Sequence, residues 1–183
     1  MKCIYAALLF VALLLSTPAQ ALRGTAYVLA VIDGDTLLLQ PTEHGTRIYK
    51  LRLAGIDAPE MNQPYGMEAK QALAAMVLHK TVVVATVATD RYGRRVGWVG
   101  LDASMGDRFE INADLVRRGA AWASNWHRRD ARLTRLQRDA RRERRGLWVD
   151  GEPLPPWVWR RRAAAEEPTS AFASKPLLFQ PRD

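Results

Sequence analysis

Val-Ile-Asp-Gly-Asp-Thr (31–36) and Arg-Leu-Ala-Gly-Ile-Asp-Ala-Pro-Glu (52–60) bracket the part of the chain on which its fold turns. Asp33-Gly34 is a tight-turn dipeptide between two β-forming runs, residues 25–32 and 36–40, and predicts a hairpin. Glu43-His44-Gly45 predicts a second turn into a strand over 46–54, where Ile48, Leu51 and Leu53 alternate imperfectly with Arg47, Lys50 and Arg52. Ala58-Pro59 ends that strand, because proline supplies no ladder donor and restricts the residue before it. Two turns about twenty residues apart thus each carry carboxylates where a β-segment meets a loop.

Outward from this segment, Ala69, Leu73, Met76 and Val77 form one apolar stripe and predict a helix over 65–80. Residues 81–89 are β-branched and read as a buried strand. Asp90-Arg91-Tyr92-Gly93 turns the chain into a strand over 94–101, and 102–107 read as a loop. Asn112 is placed as the N-cap of a short helix ending near Arg118, with Gly119 as its stop. A last helix over 130–145 carries a narrow Leu133, Leu136, Ala140 stripe and closes at Gly146. Five short strands with about three helices predict a mainly β, α+β domain, a five-stranded Greek-key barrel of the OB type.

At the N-terminus, Lys2, an uncharged run over 3–15 and Ala19-Gln20-Ala21 have the form of a secretory signal peptide cut after Ala21, the alternative being an uncleaved N-terminal anchor. The organisation expected is a signal peptide over 1–21, one domain over 22–150, and a disordered Pro/Ala-rich tail over 151–183 that Trp157 and Trp159 could pin at its start. Cys3 is the only cysteine, so a mature chain has neither disulfide nor thiol chemistry. Export to the periplasm or medium follows, with no stable membrane association after signal removal and a monomer as the expected state. The net charge is +8, and residues 127–145 alone hold nine arginines against Asp130, Asp139 and Glu143. That concentration favours polyanionic partners, or else is a solvated surface.

Asp35 and Asp57 are hard oxygen donors suited to Ca²⁺ or Mg²⁺, with Asp33 adding to the field. His44, His79 and His127 are scattered and lack zinc spacing. Arg52, Asp57 and Glu60 can crowd one mouth of a barrel, and the Arg94-Arg95 pair follows a turn; strand parity does not choose between the two arginines. Guanidinium groups, a carboxylate-held cation and a spare glutamate are the parts phosphodiester hydrolysis needs. The cations offset charge on the phosphoryl oxygens, and the glutamate aligns or deprotonates water.

Ile-Asp-Gly-Asp-Thr (32–36), Arg52-Leu53, Asp57-Ala58-Pro59-Glu60, Tyr65-Gly66-Met67-Glu68-Ala69, Arg91-Tyr92-Gly93-Arg94, Leu115-Val116-Arg117-Arg118-Gly119 and Leu147-Trp148 occur in this order. In that arrangement the chain resembles the staphylococcal nuclease (thermonuclease) family from about residue 25 to residue 148. The resemblance implies an endonuclease that uses one Ca²⁺ ion and hydrolyses DNA and RNA to 3′-phosphate ends. It implies that Asp35, Asp57 and the Ala58 carbonyl hold the ion, with Asp33 as an acid behind them. It further implies that Arg52 and Arg94 clamp the scissile phosphate, that Glu60 abstracts a proton or positions water, and that Tyr92 lies near a terminal phosphate of the bound nucleotide.

Three departures from the family pattern stand out. Ala58 replaces a threonine, the lysine-rich loop after the Pro-Glu turn is reduced to Met61-Asn62-Gln63-Pro64, and Asn125 falls where a tyrosine would stack on a base. Trp122 or Trp126 are candidates for that platform. The alternative readings are a catalytically inactive OB-fold module that binds nucleic acid without cutting it, and a basic protein docking its 127–145 segment on anionic lipid.

Overall fold

One long strand, β1 (Leu22–Asp33), pairs along both of its edges and so closes the sheet on itself. A computed structural model describes residues 22–43, 47–101, 110–124 and 130–172 of the chain. β1 runs antiparallel to β2 (Thr36–Pro41) across the Asp33-Gly34-Asp35 turn and to β5 (Thr81–Thr89) on its other edge. β2 pairs with β3 (Tyr49–Leu53), β3 runs parallel to β6 (Arg95–Gly100), and β6 returns antiparallel to β5. The closed order is β1-β2-β3-β6-β5, the five-stranded barrel expected. Register shifts between Val28 and Ala30 and between Val31 and Asp33 bend β1; such bulges raise local twist and let one strand serve two sides of a small barrel.

Val28, Leu37, Leu39, Leu51, Leu53, Val82, Val84 and Val99 fill the interior. The imperfect alternation over 46–54 resolves on strand parity: Leu51 and Leu53 point inward and Ile48 outward. The β-branched run of β5 is buried mainly on one face, and Val87 is exposed. A two-residue strand, β4 (Ile56–Asp57), pairs with β7 (Trp122–Ala123) and fixes the acidic second turn beside the barrel mouth.

Helix α1 (Gly66–Val77) lays Ala69, Leu73 and Val77 of the expected stripe against the barrel, with Met76 partly buried beside them. Helix α2 spans Glu110–Arg117, so Asn112 lies inside it and does not cap it. The side chain of Asn112 is fully buried: its Oδ1 accepts from the Val99 amide at 3.1 Å, and Nδ2 donates to the carbonyls of Ala54 at 2.9 Å and Gly97 at 3.3 Å. A good capping residue type is thus recruited to cross-link two strands. Gly119 does end the helix, at φ 70°, and a Cβ there would lie 2.1 Å from the Arg145 carbonyl oxygen.

Helix α3 (Ala131–Arg142) is capped by Asp130, whose carboxylate accepts from the amides of Arg132 at 2.7 Å and Leu133 at 3.3 Å. Leu133 and Ala140 are its buried residues. A 3₁₀ turn over Gly146–Trp148 brings Leu147 and Trp148 against Trp122 and Ala140 in a second apolar cluster.

The tail departs from expectation over residues 156–172, and residues 173–183 lie outside the described residues. Residues Pro156–Phe172 form a helix, α4, making four helices among the described residues where about three are expected. Pro153, Pro155 and Pro156 suggest disorder, yet Pro156 occupies the first helical position, where a missing N–H costs nothing, and an Arg/Ala/Glu run follows. No helix among the described residues is long and apolar enough to cross a membrane. The signal peptide over 1–21, the loop over 102–107, His44, Asn125, Trp126 and His127 lie outside the described residues.

Candidate active site

The first turn carries Asp35 inward. Asp33 Oδ1 accepts from the Asp35 amide at 2.9 Å, a local bond that closes the Asp-Gly-Asp turn. Asp35, only 3% exposed, then accepts from the Thr36 hydroxyl at 3.1 Å and, through Oδ2, from the Ala58 amide at 2.9 Å. The pairing of Thr36 with Arg52 across β2 and β3 places the arginine over the same spot. Its Nη1 donates to Asp35 at 2.5 Å and its Nη2 to Asp57 at 2.7 Å, so one guanidinium bridges two buried carboxylates.

The electrostatics follow from that burial. Desolvation pushes the Asp35 carboxyl up to about 7 against the pull of Arg52, and the neighbouring Asp33 and Asp57 charges push it the same way. Burial works to lower the Arg52 value, but Asp35 and Asp57 outweigh it and hold the guanidinium charged. Positive charge is therefore short at Asp35 even with Arg52 in place.

Glu60 is fixed by its backbone. Its amide donates to Gln63 Oε1 at 3.1 Å and its carbonyl accepts from the Gln63 amide at 2.9 Å. Gly66 packs so closely that a Cβ would lie 2.0 Å from the Glu60 carbonyl oxygen, which makes glycine obligatory there. On the far side, Asp90 organises the turn between β5 and β6: its Oδ1 accepts from the amides of Tyr92 and Arg94, both at 2.9 Å, and its Oδ2 from Arg94 Nε at 2.7 Å. The guanidinium of Arg95, by contrast, lies 4.0 Å from the centre of the Tyr49 ring.

Asp33, Asp35, Arg52, Asp57, Ala58, Glu60, Tyr92 and Arg94 all line one cleft of about 890 Å³. The structure thus brings together every site residue read from the sequence. Lys50, Asp90, Trp157 and Arg160 line it as well, and sequence reasoning does not find them. Asp90 has a signal in its turn position before an arginine four residues on; Arg160 has none, because only the tertiary fold carries it to the cleft. Trp122 is not the exposed platform suggested: it is 4% exposed and packs edge-on against Trp148, with ring centres 5.3 Å apart.

The donor set suits a hard cation. Among the described residues no group of three or more His, Cys, Asp or Glu side chains could hold a metal ion. A cation here would depend on two carboxylates, Asp35 and Asp57, and on the Ala58 carbonyl, with water or substrate completing the shell. All three are oxygens, as Ca²⁺ and Mg²⁺ require, and the upward push on Asp35 is what a cation would relieve.

A family model described as staphylococcal nuclease homologue matches residues 50–150. A protein of Escherichia coli O157:H7 named uncharacterized endonuclease is 42% identical over 135 residues, 74% of this chain and 84% of that protein. Protein ParB of Escherichia coli is 42% identical over 156 residues, 81% of this chain and 85% of the relative. A micrococcal nuclease of Shigella flexneri is 38% identical over 158 residues, 82% and 88% of the two chains.

Proposed function

Because the chain belongs to the staphylococcal nuclease family and is a hydrolase of nucleic-acid ester bonds, we propose that it is an exported, Ca²⁺-dependent endonuclease that cuts DNA and RNA to leave 3′-phosphate ends. The observation that carries this reading is the meeting of Arg52, Arg94, Glu60 and two buried aspartates on one open cleft. Asp35, Asp57 and the Ala58 carbonyl would hold the ion, which when bound supplies positive charge against that building on the phosphoryl oxygens.

Arg52 is held between its aspartates, so its guanidinium is oriented before substrate arrives and loses little freedom on binding a phosphate. Asp90 does the same for Arg94 through Nε. Glu60 is partly exposed in the cleft and takes the proton of a water attacking phosphorus. The P–O5′ bond breaks, the leaving 5′ oxygen takes up a proton, and phosphate stays on the 3′ oxygen. The leader form of residues 1–21 supports export, and a single domain with its own cleft supports action as a monomer.

The test is plasmid nicking in Ca²⁺, Mg²⁺ or chelator, with Glu60→Gln, Arg52→Ala and Arg94→Ala compared to wild type. Cutting confined to Ca²⁺ and lost in the variants is expected; rates like wild type in all three variants would overturn the proposal.

A further inference from the structure

Residues 154–160 lie beyond the matched segment 50–150, yet they are fastened to the acidic turn at three points. Gln63 Nε2 donates to the Leu154 carbonyl at 2.5 Å, and Trp159 Nε1 donates to Asn62 Oδ1 at 3.1 Å. Arg160 closes the set: Nη1 donates to Glu60 at 2.6 Å and Nη2 to Asp57 at 2.8 Å. We propose that this segment forms one wall of the substrate cleft, with Arg160 as a third phosphate-binding guanidinium and Trp157 as a platform for a nucleobase. The inference rests on the nuclease reading above.

Arg160 and Arg52 share Asp57 Oδ1, at 3.2 and 2.7 Å, so two cations converge on one carboxylate. Their like charges oppose each other there. A phosphodiester entering beside Glu60 therefore meets two guanidinium groups gathered on one carboxylate. The loop Met61-Asn62-Gln63-Pro64 carries no charge, so positive charge at this edge of the turn comes from the C-terminal segment instead. Trp157 lines the cleft, is 40% exposed, and meets Trp122 edge-on at 77° with centres 6.5 Å apart. That contact steadies the indole while leaving ring surface for stacking.

The experiment measures binding of a fluorescein-labelled eight-nucleotide oligothymidylate to the full chain in chelator, where it stays intact, by anisotropy across a salt series. Arg160→Ala should weaken binding about 10-fold or more and reduce the salt slope by about 0.7. Arg160→Lys should restore part of the loss, and Arg161→Ala, which removes the same charge outside the cleft, should stay within about twofold. Trp157→Ala should cost about 5- to 100-fold and Trp157→Phe much less. In Ca²⁺ cleavage the two alanine variants should raise KM more than they lower kcat. Arg160→Ala that melts like wild type and binds as tightly, or binds tighter and cuts faster, would overturn the proposal, since the helix would then be a spectator or an obstruction. Wild type that cuts while both alanine variants bind normally sinks the wall alone. Wild type that binds without cutting, with the Arg160→Ala loss intact, sinks the nuclease reading and keeps the wall.

Discussion

Glu60 and the two arginines of the 94–95 pair separate roles that charge alone leaves mixed. Glu60→Gln keeps size and polarity but cannot accept a proton, so kcat should fall ~10²–10⁴-fold while oligonucleotide affinity in chelator stays near wild type; single-turnover kinetics beside anisotropy would show it. Arg94→Ala should cost ~10²–10³-fold in kcat/KM, whereas Arg95→Ala, whose guanidinium covers Tyr49 and not the cleft, should act mainly on stability. Parity along the strand does not make that choice; the Asp90 turn makes it by holding Arg94 just outside β6. Burial would raise the Asp90 carboxyl, but the Arg94 side chain and the Arg94 and Tyr92 amides hold it below the usual range. A depressed folded value means stability present above the unfolded carboxylate range and lost as pH falls through the folded value. Asp90→Asn should therefore lower the urea midpoint at pH 7, with the gap to wild type narrowing as acid protonates the native carboxylate. The acids, arginines and tyrosine read into the cleft from the sequence are legible because each sits in or beside a short turn whose chemistry is local. Arg160 is not, since its partners Asp57 and Glu60 are over ninety residues away.

Local pattern also decides most elements, and it fails where a residue serves a distant strand. The hairpin, β5 and the α1 stripe follow from turn dipeptides, β-branching and helical spacing. Asn112 misleads because capping and buried cross-linking use the same amide, and only the packing of α2 on β6 shows which is at work. Asn112→Ala would strand the Val99 amide and the Ala54 carbonyl, at about 1–3 kcal/mol for each buried group left unpaired, while the Gly97 carbonyl keeps the Ala54 amide at 2.7 Å. A marked drop in the urea midpoint is expected, and an unchanged midpoint would show that water replaces the amide. Gly66→Ala tests how the elements hold the site. A methyl group 2.0 Å from the Glu60 carbonyl forces the Pro-Glu turn away from α1. Activity should fall more steeply than thermal stability, because Glu60 is displaced while the barrel is not.

At the scale of the molecule, +6 of the +8 net charge falls within residues 127–145, which include α3. The fold explains why α3 tolerates this: Leu133, Leu136 and Ala140 dock it, Gln137 accepts from the Ala123 amide at 2.7 Å, and most of its arginines stay exposed. Its arginines are not equivalent. Arg141 lies 4.9 Å from the centre of the Trp148 ring and pairs with Glu152, so it supports the second apolar cluster and the start of the C-terminal segment. Arg135, Arg138 and Arg142 are exposed, which suits them to long-range attraction of a polyanion. Replacing those three by glutamine should leave melting near wild type and reduce the dependence of log K on log salt by roughly 0.7 to 0.9 for each phosphate no longer neutralised. Turnover at saturating substrate should hold, because none of the three lines the cleft. The same substitution at Arg141 should instead lower stability without a matching change in slope. Equal slopes for the triple variant and wild type would mean that α3 faces away from bound nucleic acid, and that basic residues around the cleft, Lys50, Arg52, Arg91, Arg94 and Arg160, supply the electrostatic attraction.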